Sequence, residues 1–179
     1  MEGNFIIYTS SQNEGYKNYL DDILYHLSKT KTLIPRYDIF KAHENKGYQE
    51  LLKKEVGIES LEYKYFGNLA GVQKHNNLLL EYPFILKKTT GAGSKNVFKI
   101  NDYRMLVNKI KKINTPNNYI TYNIKRILKK YIFRSRYSSR SYAEDIFTGP
   151  ILLQEFMRGL AEDWKVLIFN KKYYVLNRK

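Results

Sequence analysis

The sequence has no cysteine, only four prolines and a single tryptophan. Without cysteine the chain has no disulfide, no thiolate metal ligand and no cysteine nucleophile. No apolar run approaches the roughly 20 residues that a membrane-spanning helix needs. The first residues also lack a basic leader followed by a cleavage site. We therefore expect no transmembrane segment and a cytoplasmic location by default.

Acidic residues are scarce relative to basic ones. Lysine and arginine number 31 against 17 aspartates and glutamates, which gives a formal net charge of +14. Such a surplus favours anionic partners. Apolar residues make up 43% of the 179 positions and aromatic residues 15%, enough for one substantial core with a small appended lobe. The chain is therefore expected to be globular rather than disordered.

Hydrophobic spacing predicts a strand and then a helix at the start of the chain. Residues 5–8 read as a buried strand, and apolar residues at three- and four-residue intervals predict a helix over 16–28. A second helix is predicted over 43–56, ending at Gly57. The pattern from 58 to 77 is ambiguous, and a loop with a short helix fits it.

The second half is expected to be rich in antiparallel strands. Apolar runs at 84–86 and 97–100 predict a hairpin, and Asp102 then caps a helix that ends near Asn114. Three further strands are predicted at 151–153, 166–169 and 173–176. The mixture of elements predicts an α/β (α+β) fold class.

The segment that joins the two hairpin strands is rich in glycine, hydroxyl groups and lysine. It runs from Lys87 to Lys95 and contains the triplet Gly91-Ala92-Gly93. Glycines let consecutive amide N–H groups converge on an anion, and lysine neutralises phosphate oxygens. No Gly-Lys-Ser/Thr of a Walker motif is present. The segment suits a triphosphate, and an ordinary glycine-rich turn with solvated lysines is the alternative for it alone.

With its flanks, this segment resembles the ATP-grasp family. The family pattern is proline, three apolar residues, lysine, a Gly/Ser-rich loop and a valine-containing strand. Here that pattern runs from Pro83 to Lys87, through Gly91-Ala92-Gly93-Ser94, to Val97. A second match follows in the family's order, at residues 151–159 and 163–166.

On the phosphate side, the resemblance implies that Lys87 binds the α- and β-phosphates. A mobile flap would form from Gly91, Ala92, Gly93 and Ser94. Asn45-Lys46 resembles the family's Asp-Lys pair, so Lys46 would reach a phosphate, with a solvated lysine at a helix start as the alternative. Lys165 matches a basic position, and Arg178 matches an arginine that faces phosphate or substrate.

On the nucleoside side, the resemblance implies a hinge that receives adenine. Gln154 would meet the adenine amino group, and Glu155 and Met157 would offer backbone contacts, with Phe156 between them. Asp163 would accept hydrogen bonds from the ribose hydroxyls. A turn-capping carboxylate beside Lys165 is the alternative for Asp163.

The resemblance covers residues 43–179 and implies two domains. Residues 1–75 would be a small N-terminal α/β lobe, and residues 76–179 an incomplete ATP-grasp fold with antiparallel sheets. The family's Mg2+ ligands would fall beyond the end of this chain, and no catalytic residue is assigned. We therefore expect an ATP-dependent carboxylate–amine (or related) ligase that is truncated and inactive alone, with a family member that has lost catalysis as the alternative. The acceptor and the oligomeric state are left open.

Another function class remains open because of the basic stretch at 115–141. This stretch interleaves lysine and arginine with tyrosine and isoleucine and has no acidic residue. It would suit a nucleic-acid backbone with aromatic stacking, or anionic lipid. A cationic connection between the hairpin and the hinge is the interpretation that we favour. The three histidines, His26, His43 and His75, show no metal-ligand spacing.

Overall fold

The computed structural model describes residues 4–11, 13–91, 96–115, 119–132, 148–159, 162–169 and 171–178. Within these ranges, helices are combined with strands that pair mainly in antiparallel fashion. This confirms the predicted α+β class. No helix in these ranges is long and apolar enough to cross a membrane.

The elements include six α-helices and eight strands in the described ranges. In chain order they are β1 (Phe5–Ile7), α1 (Glu14–Leu27), β2 (Thr32–Ile34), α2 (Tyr37–Glu44), α3 (Lys46–Glu55), β3 (Tyr63–Asn68), α4 (Leu69–Lys74), a 3-10 turn (Asn76–Leu78), β4 (Phe84–Lys88), β5 (Val97–Ile100), α5 (Tyr103–Asn114), α6 (Tyr119–Ile132), β6 (Thr148–Glu155), β7 (Asp163–Phe169) and β8 (Lys172–Arg178). The hairpin, the helix after Asp102 and the last three strands are confirmed.

The N-terminal elements pack around a small hydrophobic cluster. β1 and β2 pair in parallel, and a small cluster of Leu24, Leu33 and Phe40 joins them to α1 and α2. The prediction of a buried first strand is wrong, because Phe5 and Ile7 are exposed. Only the middle residue of β1 packs against this cluster, as the alternation of side chains along a strand allows.

The single helix predicted over 43–56 is also wrong, because two helices meet there. Asn45 adopts an extended conformation between α2 and α3. Its Oδ1 accepts hydrogen bonds from the amides of Gly47 and Tyr48, at 2.9 and 3.1 Å. Asparagine is favoured at such N-cap positions since its side chain satisfies amides that the first helical turn leaves free.

The main sheet has four strands in the order β3-β6-β4-β5, and every neighbouring pair is antiparallel. β3 lies in the stretch whose sequence pattern was ambiguous, and it pairs with β6 from Tyr63 opposite Gln154 onwards. The sheet thus joins strands from both sides of residue 75. The domain boundary placed there stays a prediction.

One face of this sheet carries the hydrophobic core. Leu86 of β4, Leu153 of β6 and Ile100 of β5 are fully buried against Leu106 and Ile110 of α5. Burial of each such side chain contributes about 1.5–3 kcal/mol. Because side chains alternate along a strand, the neighbours of these residues point to the opposite face. That face carries the polar residues of the candidate site.

We expect Leu153→Ala to lower the free energy of unfolding by about 2–5 kcal/mol, because it opens a cavity in the core. Leu176→Ala is the matched control, since Leu176 lies in a strand but is 47% exposed. Its cost should stay below about 1 kcal/mol. Urea denaturation followed by circular dichroism would measure both, and equal losses would contradict this core.

Candidate functional site

Lys87 and Gln154 meet on the polar face of the four-stranded sheet. The Lys87 Nζ donates a hydrogen bond to the Gln154 Oε1 at 2.5 Å, across 67 positions of sequence. In the ladder between β4 and β6, Lys87 lies opposite Leu152 and Ile85 lies opposite Gln154. The two side chains are therefore diagonal neighbours on one face, and the structure brings together the lysine and the glutamine that were predicted from separate motifs.

The Lys87 ammonium is short of compensating charge. Burial lowers the pKa of Lys87 below its ordinary value; the Glu50 carboxylate opposes this, and Lys53 and Lys46 lower the pKa further. A desolvated ammonium with other ammonium groups nearby is stabilised by any anion that reaches it. The electrostatics of this face therefore favour an anionic ligand.

Helix α3 brings a second lysine to the same region. The Lys46 amide donates to the Thr89 carbonyl at 2.9 Å, and the Lys46 Nζ donates to the Gly91 carbonyl at 2.7 Å. Burial lowers the pKa of Lys46, and Glu44 opposes this shift. Lys46 thus holds the start of the glycine-rich loop through both its backbone and its side chain.

Glu50, one helical turn after Lys46, is a buried carboxylate that the sequence analysis did not single out. Its side chain is almost fully buried, and its Oε1 accepts from the Lys53 Nζ at 2.9 Å. Its Oε2 is buried and has no hydrogen-bond partner among the residues that the structure describes. The four-residue spacing from Lys46 is the signal that would have found Glu50, since residues i and i+4 share a helix face.

The close approach of α3 to the sheet depends on a small residue. A Cβ atom at Gly47 would lie 2.5 Å from the ring of Tyr65 in β3. The absence of a side chain at this position lets the first turn of α3 lie against the strand. Lys46 and Glu50 are placed over the sheet by this contact.

The loop after β4 begins with a fixed backbone. The Thr89 side chain is buried, and its Oγ1 donates to the Pro150 carbonyl at 3.2 Å. Gly91 has a φ of +96°, a conformation that side chains other than glycine rarely adopt. The Lys88 amide donates to the Asn96 carbonyl at 3.0 Å and closes the base of the hairpin. Three residues of the predicted flap, Ala92, Gly93 and Ser94, lie outside the described residues.

The hinge residues that follow Gln154 have distinct surroundings. The Glu155 amide donates to the Glu62 carbonyl at 2.9 Å. The Phe156 ring is partly buried, and the Lys99 Nζ lies 4.2 Å from its centroid. Met157 is exposed. Phe156 is therefore covered on one side by a cation, and the sequence analysis did not foresee Lys99 in this role.

The remaining predicted site positions lie on the β7–β8 hairpin. Asp163 is opposite Arg178, and Lys165 is opposite Leu176. These two strands form a sheet of their own in the described part of the chain, so the backbone ladder does not connect them to Lys87. The side chains of Asp163 and Arg178 lie outside the described residues, and Lys165 is exposed.

A cavity of about 170 Å³ lies beside the glycine-rich loop, between α1 and α2. Its wall includes Thr90 and two ion pairs, Lys17 with Glu44 at 2.6 Å and Lys41 with Asp21 at 3.2 Å. These charges neutralise each other. The cavity therefore offers polar groups of both signs next to the loop.

Among the side chains that the structure describes, no three histidines, aspartates or glutamates converge in a way that would hold a metal ion. His43 is exposed and lies 3.3 Å from the Glu44 Oε1.

No protein-family model matches the sequence, and no curated protein matches it. Among solved structures, the chain is similar to D-alanine–D-alanine ligase from Helicobacter pylori, with 16% identity and a TM-score of 0.48, over 87% of this chain and 40% of that one. It is also similar to phosphoribosylamine–glycine ligase from Thermotoga maritima, with 13% identity and a TM-score of 0.49, over 74% of this chain and 27% of that one. A third similar structure is L-amino acid ligase from Bacillus licheniformis, with 17% identity and a TM-score of 0.46, over 78% of this chain and 27% of that one. The chain spans less than half the length of each.

Glu50 and Lys53 are expected to shift the pKa of Lys87 in opposite directions. Glu50→Gln removes the charge that raises this pKa, so the pKa should fall further. Lys53→Met removes a charge that lowers it, so the pKa should rise. An NMR titration of the lysine side chains would measure both, with Lys64→Met as a control on β3. Shifts of the same sign in the two variants would contradict the arrangement.

Proposed function

We propose that this chain supplies the nucleotide-binding part of an ATP-dependent ligase of the ATP-grasp type. The observation that carries the proposal is the hydrogen bond between Lys87 and Gln154. Each residue belongs to one of the two motifs that resemble the family, and the motifs are far apart in sequence. Their meeting on one face of the sheet is what a shared nucleotide site requires.

The triphosphate would lie over Lys87 and the start of the glycine-rich loop. Lys87 is a point charge for phosphate oxygens, and Lys46 supplies a second ammonium beside the Gly91 carbonyl. When a phosphate arrives, the Lys87 Nζ exchanges the neutral Gln154 oxygen for a charged one. The lost solvation of the ammonium is then offset by the ligand's charge.

Adenine would lie at the hinge, next to the side chain that Lys87 has released. The freed Gln154 Oε1 accepts a hydrogen bond from the adenine amino group, and the Phe156 ring flanks the base. The Glu155 amide already donates a hydrogen bond to the Glu62 carbonyl, so this N–H does not bond to adenine. Met157, which follows in an exposed segment, offers its own backbone groups.

The reaction would be the activation of a carboxylate. The carboxylate oxygen attacks the γ-phosphorus of ATP, the bond to the bridging oxygen breaks, and ADP and an acyl phosphate form. A nucleophile such as an amine then attacks the acyl carbon, loses a proton and displaces phosphate. Mg2+ would neutralise charge on the β- and γ-phosphates, and no ligand for it is assigned among the described residues.

The acceptor would bind near the cavity between α1 and α2. This cavity borders Thr90, which precedes the glycine-rich loop. Its ion pairs present both ammonium and carboxylate groups to a small polar molecule. The identity of that molecule is left open by the proposal.

Isothermal titration calorimetry with ATP and magnesium would test the nucleotide site. Lys87→Met should weaken ATP binding by about 10- to 100-fold, since a hydrogen bond to a charged group contributes about 1.5–3 kcal/mol. The variant removes a charge that burial disfavours, but it also leaves the buried Gln154 Oε1 without this donor, so circular dichroism would check that it remains folded.

Lys88→Met is the matched control, because Lys88 is the next residue on the same strand and points to the other side. It should bind ATP within about threefold of the unchanged chain, well short of the tenfold that 1.4 kcal/mol would produce. The proposal fails if the unchanged chain shows no ATP binding, or if the two lysine variants bind equally.

A further inference from the structure

Helix α6, at Tyr119–Ile132, exposes a continuous apolar stripe. Counted from Ile120, the apolar residues of the stripe stand at positions 1, 5, 8, 9 and 12, which is the spacing of one helix face. Its members are between 50% and 76% exposed: Ile120, Ile124, Ile127, Leu128 and Tyr131. The adjacent Ile132 is exposed as well. A stripe of this length is an uncovered interaction surface.

The preceding helix shows what happens when the same kind of stripe is covered. α5 is equally amphipathic, but its Leu106 and Ile110 are fully buried against the main sheet. The apolar residues of α6 have no such cover in the described part of the chain. The stripe of α6 is therefore not accounted for by the core of the fold.

The charge of the surrounding sequence indicates the partner. α6 contains Lys125, Arg126, Lys129 and Lys130, and no acidic residue occurs between Asp102 and Glu144. A second copy of the helix would cover the apolar residues but give the basic residues no anionic partner. A nucleic-acid backbone would use the charges but leave the isoleucines and the leucine in water. An anionic lipid surface satisfies both features, since headgroups attract the basic residues and the acyl boundary accepts the apolar ones.

We propose that α6 lies in the surface of an anionic membrane, with its apolar stripe in the acyl boundary and its basic residues among the headgroups. With 14 residues at about 1.5 Å each, the helix is about 21 Å long. This is shorter than the roughly 30 Å hydrocarbon core, so the helix rests on the membrane. The proposal is independent of nucleotide binding.

Co-sedimentation of the full chain with lipid vesicles would test this. One set of vesicles contains phosphatidylcholine only, and in the other part of it is replaced by phosphatidylglycerol. We expect partitioning at least about tenfold stronger into the anionic vesicles, since each basic residue near such a surface contributes about fivefold. Lys129→Gln with Lys130→Gln should then weaken it by roughly 25-fold at low salt.

The apolar stripe needs its own variant. Ile124→Asp with Leu128→Asp should reduce partitioning at least about tenfold beyond its matched control. That control is Ile39→Asp with Ile58→Asp, which makes the same change in net charge at two isoleucines that are 52% and 57% exposed elsewhere. Circular dichroism would show that both double variants remain folded.

Two results would overturn the proposal. One is equal partitioning of the stripe variant and its control. The other is no sedimentation with the anionic vesicles. Binding to a homopolymeric RNA that falls steeply with salt and persists in the Ile124→Asp, Leu128→Asp variant would then identify a nucleic-acid surface instead. A variant that loses ATP binding but still attaches to the vesicles, or one that loses attachment but still binds ATP, would show that this surface is separate from the nucleotide site.

Discussion

The partly buried ammonium of Lys87 is the constraint around which the candidate site is arranged. An ammonium held away from water is costly unless a partner is present, and here its hydrogen-bond partner is a neutral amide oxygen of Gln154. The carboxylate that opposes the lowering of the Lys87 pKa, that of Glu50, also accepts a hydrogen bond from Lys53. The lowered pKa of Lys87 is therefore consistent with the binding role proposed for it, since perturbed pKa values cluster at functional sites.

The sheet makes this arrangement possible because its two faces have opposite characters. Leu86 and Leu153 anchor β4 and β6 in the core, and the residue after each of them, Lys87 and Gln154, belongs to the other face. In an antiparallel ladder the register of β4 against β6 fixes the distance between these two side chains. If β4 slipped by one residue against β6, Lys87 would turn to the core face and lose Gln154. The hydrophobic core therefore sets the geometry of the polar site without touching it.

Much of the second half of the fold was predictable from local signals. The hairpin at β4 and β5, the Asp102 cap of α5 and the three later strands each carry their own pattern. β3 does not, because its sequence mixes lysine, glycine and aromatics, and its strand character comes from pairing with the distant β6. The apolar spacing of α2 continues into α3, so the sequence pattern does not reveal that Asn45 ends one helix and caps the next.

A residue of the candidate site was predictable where it belongs to a sequence motif. It was not predictable where only the packing of the fold brings it to the site. Lys87 and Gln154 were found from spacing and resemblance, although the hydrogen bond between them follows only from the register.

Glu50 was not found, because a glutamate on a helix is ordinarily solvated, and its burial follows from the docking of α3 through Gly47. That docking also ties Lys46 to the Gly91 carbonyl. Lys46 thus joins the start of the glycine-rich loop to the helix that carries Glu50, whose carboxylate opposes the lowering of the Lys87 pKa.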